Sequence, residues 1–317
     1  MSRPTRFVSP KKRRFPEGQR FLRSNGKPSF STRVYEKPGE LYLIAKRPVV
    51  TITHVEPIGK AVRTMTKKGF RRLPVTKATG ELQGIITATD IVNYFGGGEY
   101  FNIIVNRHSK NIYKAFDEPV SSIMNRNPIY ATTEDTLTYV IELMVKYNVG
   151  GIPVVTPDEG KIYGIITERD VINYLGGKVL GMKVAEVMTK SVITLPYDAS
   201  IKEAAKTMIK MGFRRIPLVD RNGYVRGLIT ARSIVRFFGT NKVFDYIVTG
   251  NIDEVLSVPA YEAAIHEIIT LSPDADVGEA ASKMAETGMG SVLVAKGSRL
   301  VGILTERDIM LLLVIKR

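Results

Sequence analysis

The sequence predicts an α/β (α+β) protein made of four small β-α-β-β-α repeats that pair into two modules. Three observations lead there. The pattern Gly-apolar-apolar-Thr-x-x-Asp closes four segments, Gly84–Asp90, Gly164–Asp170, Gly227–Ser233 and Gly302–Asp308, with serine in place of aspartate in the third. An apolar stripe at i, i+3, i+4, i+7 precedes each, the spacing of one buried helix face. Sixteen residues after the first stripe position comes a short apolar stretch at Pro74, Pro153, Pro217 and Leu293. Repetition at fixed spacing marks supersecondary units that bury a core only by stacking.

Each element follows in order. Val49–Ile52, Ile129–Thr132, Val192–Leu195 and Ile268–Leu271 read as a first strand. The stripes Ile58-Ala61-Val62-Met65, Leu137-Val140-Ile141-Met144, Ile201-Ala204-Ala205-Met208 and Val277-Ala280-Ala281-Met284 read as a first helix, the methionines being core. The proline-containing stretch is a second strand, with proline expected near its start, where a missing N–H is tolerated. Segments such as Asp220-Arg221-Asn222-Gly223 are hairpin turns into a third strand that ends at the motif threonine. A second helix is expected after the aspartate, as in Ile91–Phe95, and Gly96-Gly97-Gly98 reads as a helix stop.

These elements divide the chain into a basic arm (1–40), repeat 1 (41–98), a linker with repeat 2 (99–177), repeat 3 (178–240) and a linker with repeat 4 (241–317). The repeats also alternate. Repeats 1 and 3 carry Gly69-Phe70-Arg71-Arg72 and Gly212-Phe213-Arg214-Arg215, where repeats 2 and 4 have Gly150-Gly151 and Gly290-Ser291. Repeats 2 and 4 instead continue Thr-Glu-Arg-Asp. The alternation implies a duplicated pair and a pseudo-two-fold chain, compatible with a closed disc.

Composition narrows the function. Cys 0 excludes disulfides and thiolate chemistry, and His 3, at scattered positions, argues against a metalloenzyme. The longest apolar run falls far short of the ~20 residues of a membrane span, and the polar N-terminus is no signal peptide; a cytoplasmic location is expected. The formal charge is +15, and residues 1–40 hold eleven lysines and arginines against three glutamates, a net +8. Such an arm suits a polyanion, by counterion release, or a solvated tail.

The motif residues suggest a site. A carboxylate accepts two adjacent hydroxyls through charge-assisted hydrogen bonds. A threonine at a strand end places a donor beside a helix N-terminus, where phosphate is favoured, and arginine offers a planar fork to phosphate oxygens. A capping role alone also accounts for Thr-x-x-Asp, and is the reading favoured for repeat 3, whose Ser233 caps without a carboxylate. Arg169 and Arg307 fit either phosphate contact or surface ion pairs.

Four motifs in register, with matching helices and proline-containing strands, resemble the cystathionine-β-synthase (CBS) domain family over about Leu41 to the C-terminus, arranged as two tandem pairs. The layout is also similar to the γ subunits of AMP-activated protein kinase and their archaeal four-repeat relatives. The resemblance implies adenosyl-ligand binding in clefts between paired repeats. Asp90, Asp170 and Asp308 match the aspartate that accepts the ribose hydroxyls. Thr87, Thr167, Thr230 and Thr305 match the hydroxyl that meets phosphate or ribose. Thr51, Tyr130, Thr194 and Thr270 occupy the early-strand position bordering adenine, and Arg71, Arg72, Arg214 and Arg215 stand where kinase γ subunits place basic residues against phosphates.

The expected function is therefore non-enzymatic: a regulatory sensor of AMP, ADP or ATP, with S-adenosylmethionine as the alternative ligand, no cofactor or metal, an unknown regulated partner, and a monomeric or homodimeric state. The alternative class is a nucleic-acid binder using Arg3–Lys37, where Phe7, Phe15, Phe21, Phe30 and Tyr35 interleave with the charges as stacking on single strands requires.

Overall fold

A computed structural model describes residue 39 and residues 41–173 and 180–315; the basic arm Arg3–Lys37 and its aromatic residues lie outside the described residues. A lead helix α1 (Leu41–Ile44) precedes repeat 1: β1 (Ile52–Thr53), α2 (Ile58–Lys68), β2 (Arg72–Thr76), β3 (Leu82–Thr87) and α3 (Ala88–Phe95). After α4 (Phe101–His108), the lead α5 (Ile112–Asp117) precedes repeat 2: β4 (Ala131–Thr132), α6 (Leu137–Lys146), β5 (Gly151–Val155), β6 (Ile162–Thr167) and α7 (Glu168–Asn173). The lead α8 (Val184–Val187) precedes repeat 3: β7 (Leu195–Pro196), α9 (Ile201–Met211), β8 (Arg215–Val219), β9 (Val225–Thr230) and α10 (Ala231–Gly239). The lead α11 (Ile252–Leu256) precedes repeat 4: β10 (Thr270–Leu271), α12 (Val277–Thr287), β11 (Ser291–Lys296), β12 (Arg299–Thr305) and α13 (Glu306–Ile315). Each repeat thus makes a three-stranded sheet whose first two strands are parallel and last two antiparallel.

The helical stripes are buried as their spacing predicts: Ile58, Ala61, Val62 and Met65 are at most 1% exposed, and their counterparts on α6, α9 and α12 are also buried. Helices α2, α9 and α12 end at Gly69, Gly212 and Gly288, each in the left-handed conformation. Gly69 and Phe70 return N–H groups to the Thr66 and Met65 carbonyls, satisfying orphan acceptors at the helix end.

Two sequence expectations shift, the place of the proline and the extent of the first strand. The proline is not at the strand start but in the middle of the central strand, Pro74 standing opposite Ile85. Ile85 exchanges both backbone groups with Asn125, at 3.0 and 2.9 Å, so Pro74 and Ile85 form a non-hydrogen-bonded pair and the Pro74 nitrogen faces β1. Pairing with β1 then begins only at Val75, opposite Ile52. In repeat 4, Leu293 replaces proline, its N–H donates to Ile269 at 2.9 Å, and pairing begins one position earlier, at Thr270. All four first strands are two residues long, and proline shifts only where the pairing begins. Thr51, Tyr130 and Thr194 stand just before them, whereas Thr270 opens β10.

Each lead covers the sheet of the other repeat of its tandem pair. Lys46 bridges Ile165, Asn125 bridges Ile85, Thr189 bridges Ile303 and Ile265 bridges Leu228. This crossing explains the motif glycine. A Cβ on Gly84 would lie 2.7 Å from the Asn125 carbonyl oxygen, and one on Gly164 2.5 Å from the Ala45 Cβ.

The chain divides into two units. One contains Val50–Pro128 and Ile193–Glu267, hence repeats 1 and 3; the other contains Ile129–Val192 and Ile268–Arg317, hence repeats 2 and 4, with the lead ending at Val49. In the first unit α2 packs on α10, and Phe95 stacks on Phe238 with ring centroids 4.6 Å apart. In the second unit α7 packs on α12 and α13, over a core that includes Leu41, Met144, Met284 and Met310. The alternation seen in the sequence is thus also an alternation of packing partner.

Candidate functional site

The motif threonine ends its strand and the aspartate is the third residue of the helix that follows, so this helix starts before the aspartate and not after it. In repeat 1, Asp90 Oδ2 accepts from Thr87 N–H at 2.8 Å and Thr87 Oγ1 at 2.7 Å. In repeat 2, Asp170 Oδ2 accepts from Thr167 at 2.8 and 2.7 Å. In repeat 4, Asp308 Oδ2 accepts from Thr305 at 2.9 and 2.7 Å. One carboxylate oxygen is thereby fixed at each helix N-terminus, where the dipole favours negative charge. A carboxylate has about four acceptor sites, and the cap uses two of them.

Repeat 3 keeps the cap without the charge. Ser233 Oγ accepts from Thr230 N–H at 2.9 Å, and Thr230 Oγ1 accepts from Ser233 N–H at 2.9 Å. Ser233 is buried, 7% exposed.

Arg72 and Arg215 open β2 and β8 directly opposite Thr87 and Thr230, so arginine and threonine are cross-strand neighbours on one face. Arg71 and Arg214 stand one residue earlier, and their carbonyls accept from the first helical N–H, of Ala88 and Ala231, both at 2.9 Å. All four arginines are half-buried. Repeats 2 and 4 present Gly151 and Ser291 opposite Thr167 and Thr305. Thr51, Tyr130 and Thr270 are exposed and Thr194 half-buried.

Arg169 and Arg307 are half-buried and pair with buried glutamates, so these are not surface ion pairs. Arg169 Nε lies 3.0 Å from Glu306 Oε1, and Arg307 Nε lies 2.5 Å from Glu168 Oε1; both glutamate side chains are 2% exposed. Each arginine also donates to a carbonyl across the unit, Arg169 to Gly288 at 2.6 Å and Arg307 to Met144 at 2.7 Å. The two Thr-Glu-Arg-Asp segments therefore clasp each other reciprocally.

Sequence reasoning missed Lys46. Its ammonium lies 2.5 Å from Asp170 Oδ1. The signal was available only by aligning leads: Lys46 occupies the position of Asn125, Thr189 and Ile265. Among the described residues, no group of three or more histidines, aspartates or glutamates gathers as a metal site, and no helix is long and apolar enough to cross a membrane.

A model of the CBS domain matches this chain four times, at residues 40–97, 120–177, 184–239 and 260–315. The chain belongs to the CBS domain family. Uncharacterized protein MJ1225 of Methanocaldococcus jannaschii is 34% identical over 267 residues, 83% of this chain and 95% of that protein. Its crystal structure, described as that of a candidate archaeal homologue of g-AMPK, superposes with a TM-score of 0.81 over 86% of this chain and 99% of that one. A 33.4 kDa protein in the ribosomal RNA operon of Thermofilum pendens is 29% identical over 263 residues, 83% of this chain and 87% of that protein. The CBS domain pair of protein MJ0100, solved with 5-methylthioadenosine and S-adenosyl-L-methionine, is 29% identical over 43% of this chain and 96% of that one, with a TM-score of 0.36. The four repeats are thus those the motif spacing predicted, and their family is the one the resemblance named.

Proposed function

We propose that this CBS protein is a non-enzymatic, cytoplasmic regulator that binds an adenosyl ligand, AMP, ADP or ATP in the first place, and passes the occupied state to a protein partner. The aspartates Asp90, Asp170 and Asp308 take the ribose hydroxyls. The threonines Thr87, Thr167, Thr230 and Thr305, with Arg71, Arg72, Arg214 and Arg215, meet the phosphates. Thr51, Tyr130, Thr194 and Thr270 border the adenine.

One observation carries this reading: repeat 3 caps its helix with Ser233, through two 2.9 Å hydrogen bonds and no carboxylate. Capping therefore does not require the negative charge that the other three repeats hold at a helix N-terminus. An ionised acceptor beside a threonine donor suits a vicinal diol attached to a phosphate. The likeness to MJ1225, itself described as a candidate homologue of g-AMPK, supports a nucleotide. Signalling requires that the ligand bind one conformational state better than another.

Calorimetry and thermal shift with AMP, ADP, ATP, S-adenosylmethionine and GTP test this. A ligand binding only the native state at ~100 times its dissociation constant adds about 2.7 kcal/mol per site. Stabilisation by adenine ligands and not by GTP is expected. No shift with any of them, in protein freed of co-purified nucleotide, refutes the reading. A second reading rests on the net +8 of residues 1–40: nucleic-acid binding that falls steeply with salt and disappears with those residues.

A further inference from the structure

We propose that Lys46 makes the repeat 2 site selective for phosphorylated ligands: its ammonium holds Asp170 in the empty site, yields that oxygen to the ribose, and moves to the phosphate. This rests on the adenosyl reading above and names the group that sets specificity at one of its sites.

Four observations converge. First, the two oxygens of Asp170 have divided tasks: Oδ2 carries the helix cap and Oδ1 faces Lys46 Nζ at 2.5 Å. Second, that contact is an ion pair without hydrogen-bond geometry, for buried Oδ1 has no hydrogen-bond partner. A diol hydroxyl can therefore supply the directional bond that the ammonium does not. Third, Lys46 is anchored at one end and loose at the other. Its backbone exchanges hydrogen bonds with Ile165 at 3.0 and 3.2 Å, while its side chain is 62% exposed. The flexible four-carbon stem of lysine lets its charge relocate. Fourth, repeat 2 has Gly150-Gly151 where repeats 1 and 3 have paired arginines, and the other leads carry Asn125, Thr189 or Ile265 at this position. The lead from repeat 1 thus brings to repeat 2 a cation that its own strand lacks. The neighbouring Arg47 lies over the Tyr163 and Tyr42 rings, at 4.6 and 5.7 Å from their centroids, which occupies its charge.

The chemistry follows. A neutral nucleoside that takes Oδ1 separates the ammonium from its carboxylate and offers no anion in return. The sulfonium of S-adenosylmethionine adds a like charge there, and its carboxylate stands farther from the ribose than a 5′-phosphate does. A 5′-phosphate beside the ribose accepts the displaced ammonium, so charge is balanced before and after binding. Repeat 2 should therefore discriminate AMP from adenosine by about tenfold or more, the scale of one hydrogen bond to a charged group.

The test compares AMP and adenosine by calorimetry in the full chain, with Asp90→Asn and Asp308→Asn silencing the other two aspartate sites. The variants are Lys46→Met and Lys46→Arg, with thermal midpoints confirming folding. The expected result for Lys46→Met is a fall of the AMP-to-adenosine affinity ratio by about tenfold, through weaker AMP binding, with adenosine unchanged or tighter. Lys46→Arg should keep most of the preference, and it carries the test if the methionine variant fails to fold. An unchanged ratio, or an equal change for both ligands, overturns the assignment while leaving the adenosyl reading intact. Binding of neither ligand by the wild-type chain overturns the adenosyl reading and this assignment with it.

Discussion

Replacing Asp170 by asparagine and by alanine separates its two roles. Oδ2 accepts two hydrogen bonds, from Thr167 N–H at 2.8 Å and Thr167 Oγ1 at 2.7 Å. Asparagine offers an amide oxygen to both donors, so the cap survives with less charge assistance. The expected loss is about 0.5 kcal/mol, within the range of helix-dipole effects. Alanine removes both acceptors, and loss of a cap side chain costs about 0.5–2 kcal/mol. Losing the ion pair to Lys46 adds little in either variant, since the ammonium left behind is on a 62% exposed side chain and stays hydrated. For ligand the order differs. The asparagine oxygen is spent on the cap and its NH2 group only donates, so neither variant can accept the diol. Both should bind AMP at the repeat 2 site at least tenfold more weakly, because hydrogen bonds to a charged group contribute about 1.5–3 kcal/mol. Urea unfolding gives the stability difference and calorimetry the affinity. Wild-type affinity in the asparagine variant would show that Asp170 is a cap and nothing more. A stability loss in asparagine equal to that in alanine would show that charge, not the acceptor oxygen, holds the helix start.

Three further predictions follow from packing and charge. Arg307→Met, which leaves Glu168 buried beside its empty place, should lower stability by about 3–5 kcal/mol, while Arg307→Met with Glu168→Gln should recover most of it; an additive double-mutant cycle in urea melts would show that the pair is not coupled. Gly84→Ala puts a Cβ 2.7 Å from the Asn125 carbonyl oxygen and should cost about 1–3 kcal/mol, read as a lower urea midpoint at unchanged m; an unaffected midpoint would show that the lead yields freely. Glu118 accepts from Arg107 at 2.9 Å and from Ser122, and lies 2.6 Å from His108 Nε2. Burial alone would raise its carboxyl, but hydrogen bonds from Ser122 and His108 and the Arg107 charge outweigh it and hold it below its ordinary value. A depressed folded value means stability that is full above the ordinary carboxylate range, about pH 4.3, and lost as pH falls through the folded value. Glu118→Gln should therefore destabilise at pH 7 and approach wild type at pH 3; a difference constant across that range would refute the charge argument.

Much of the candidate site was legible because it is local. Thr87 and Asp90 are three residues apart, so a strand that ends at threonine and a helix that starts after it bring them together. The register that sets Arg72 opposite Thr87 is likewise fixed by the hairpin that joins β2 to β3. Lys46 was not legible, because nothing near it in the chain names Asp170; only the crossing of the lead over β6 does. The start of β1 was misread because apolar alternation cannot say which partner N–H is missing, and Pro74 delays the pairing by one residue relative to Leu293.

The sequence by itself determined four repeats, the buried face of each first helix, a second helix at each motif, and the carboxylates and arginines that such repeats offer. Those features arise from periods of a few residues and from side-chain chemistry along one short segment. Tertiary structure alone decided which repeat packs on which, which sheet each lead covers, and that the Thr-Glu-Arg-Asp segments of repeats 2 and 4 clasp through ion pairs to buried glutamates. Four similar units present similar apolar faces, so periodicity permits several pairings. The choice among them is made by contacts between residues far apart in the chain: a glycine that lets a lead pass, and an arginine whose buried carboxylate partner is supplied by another repeat.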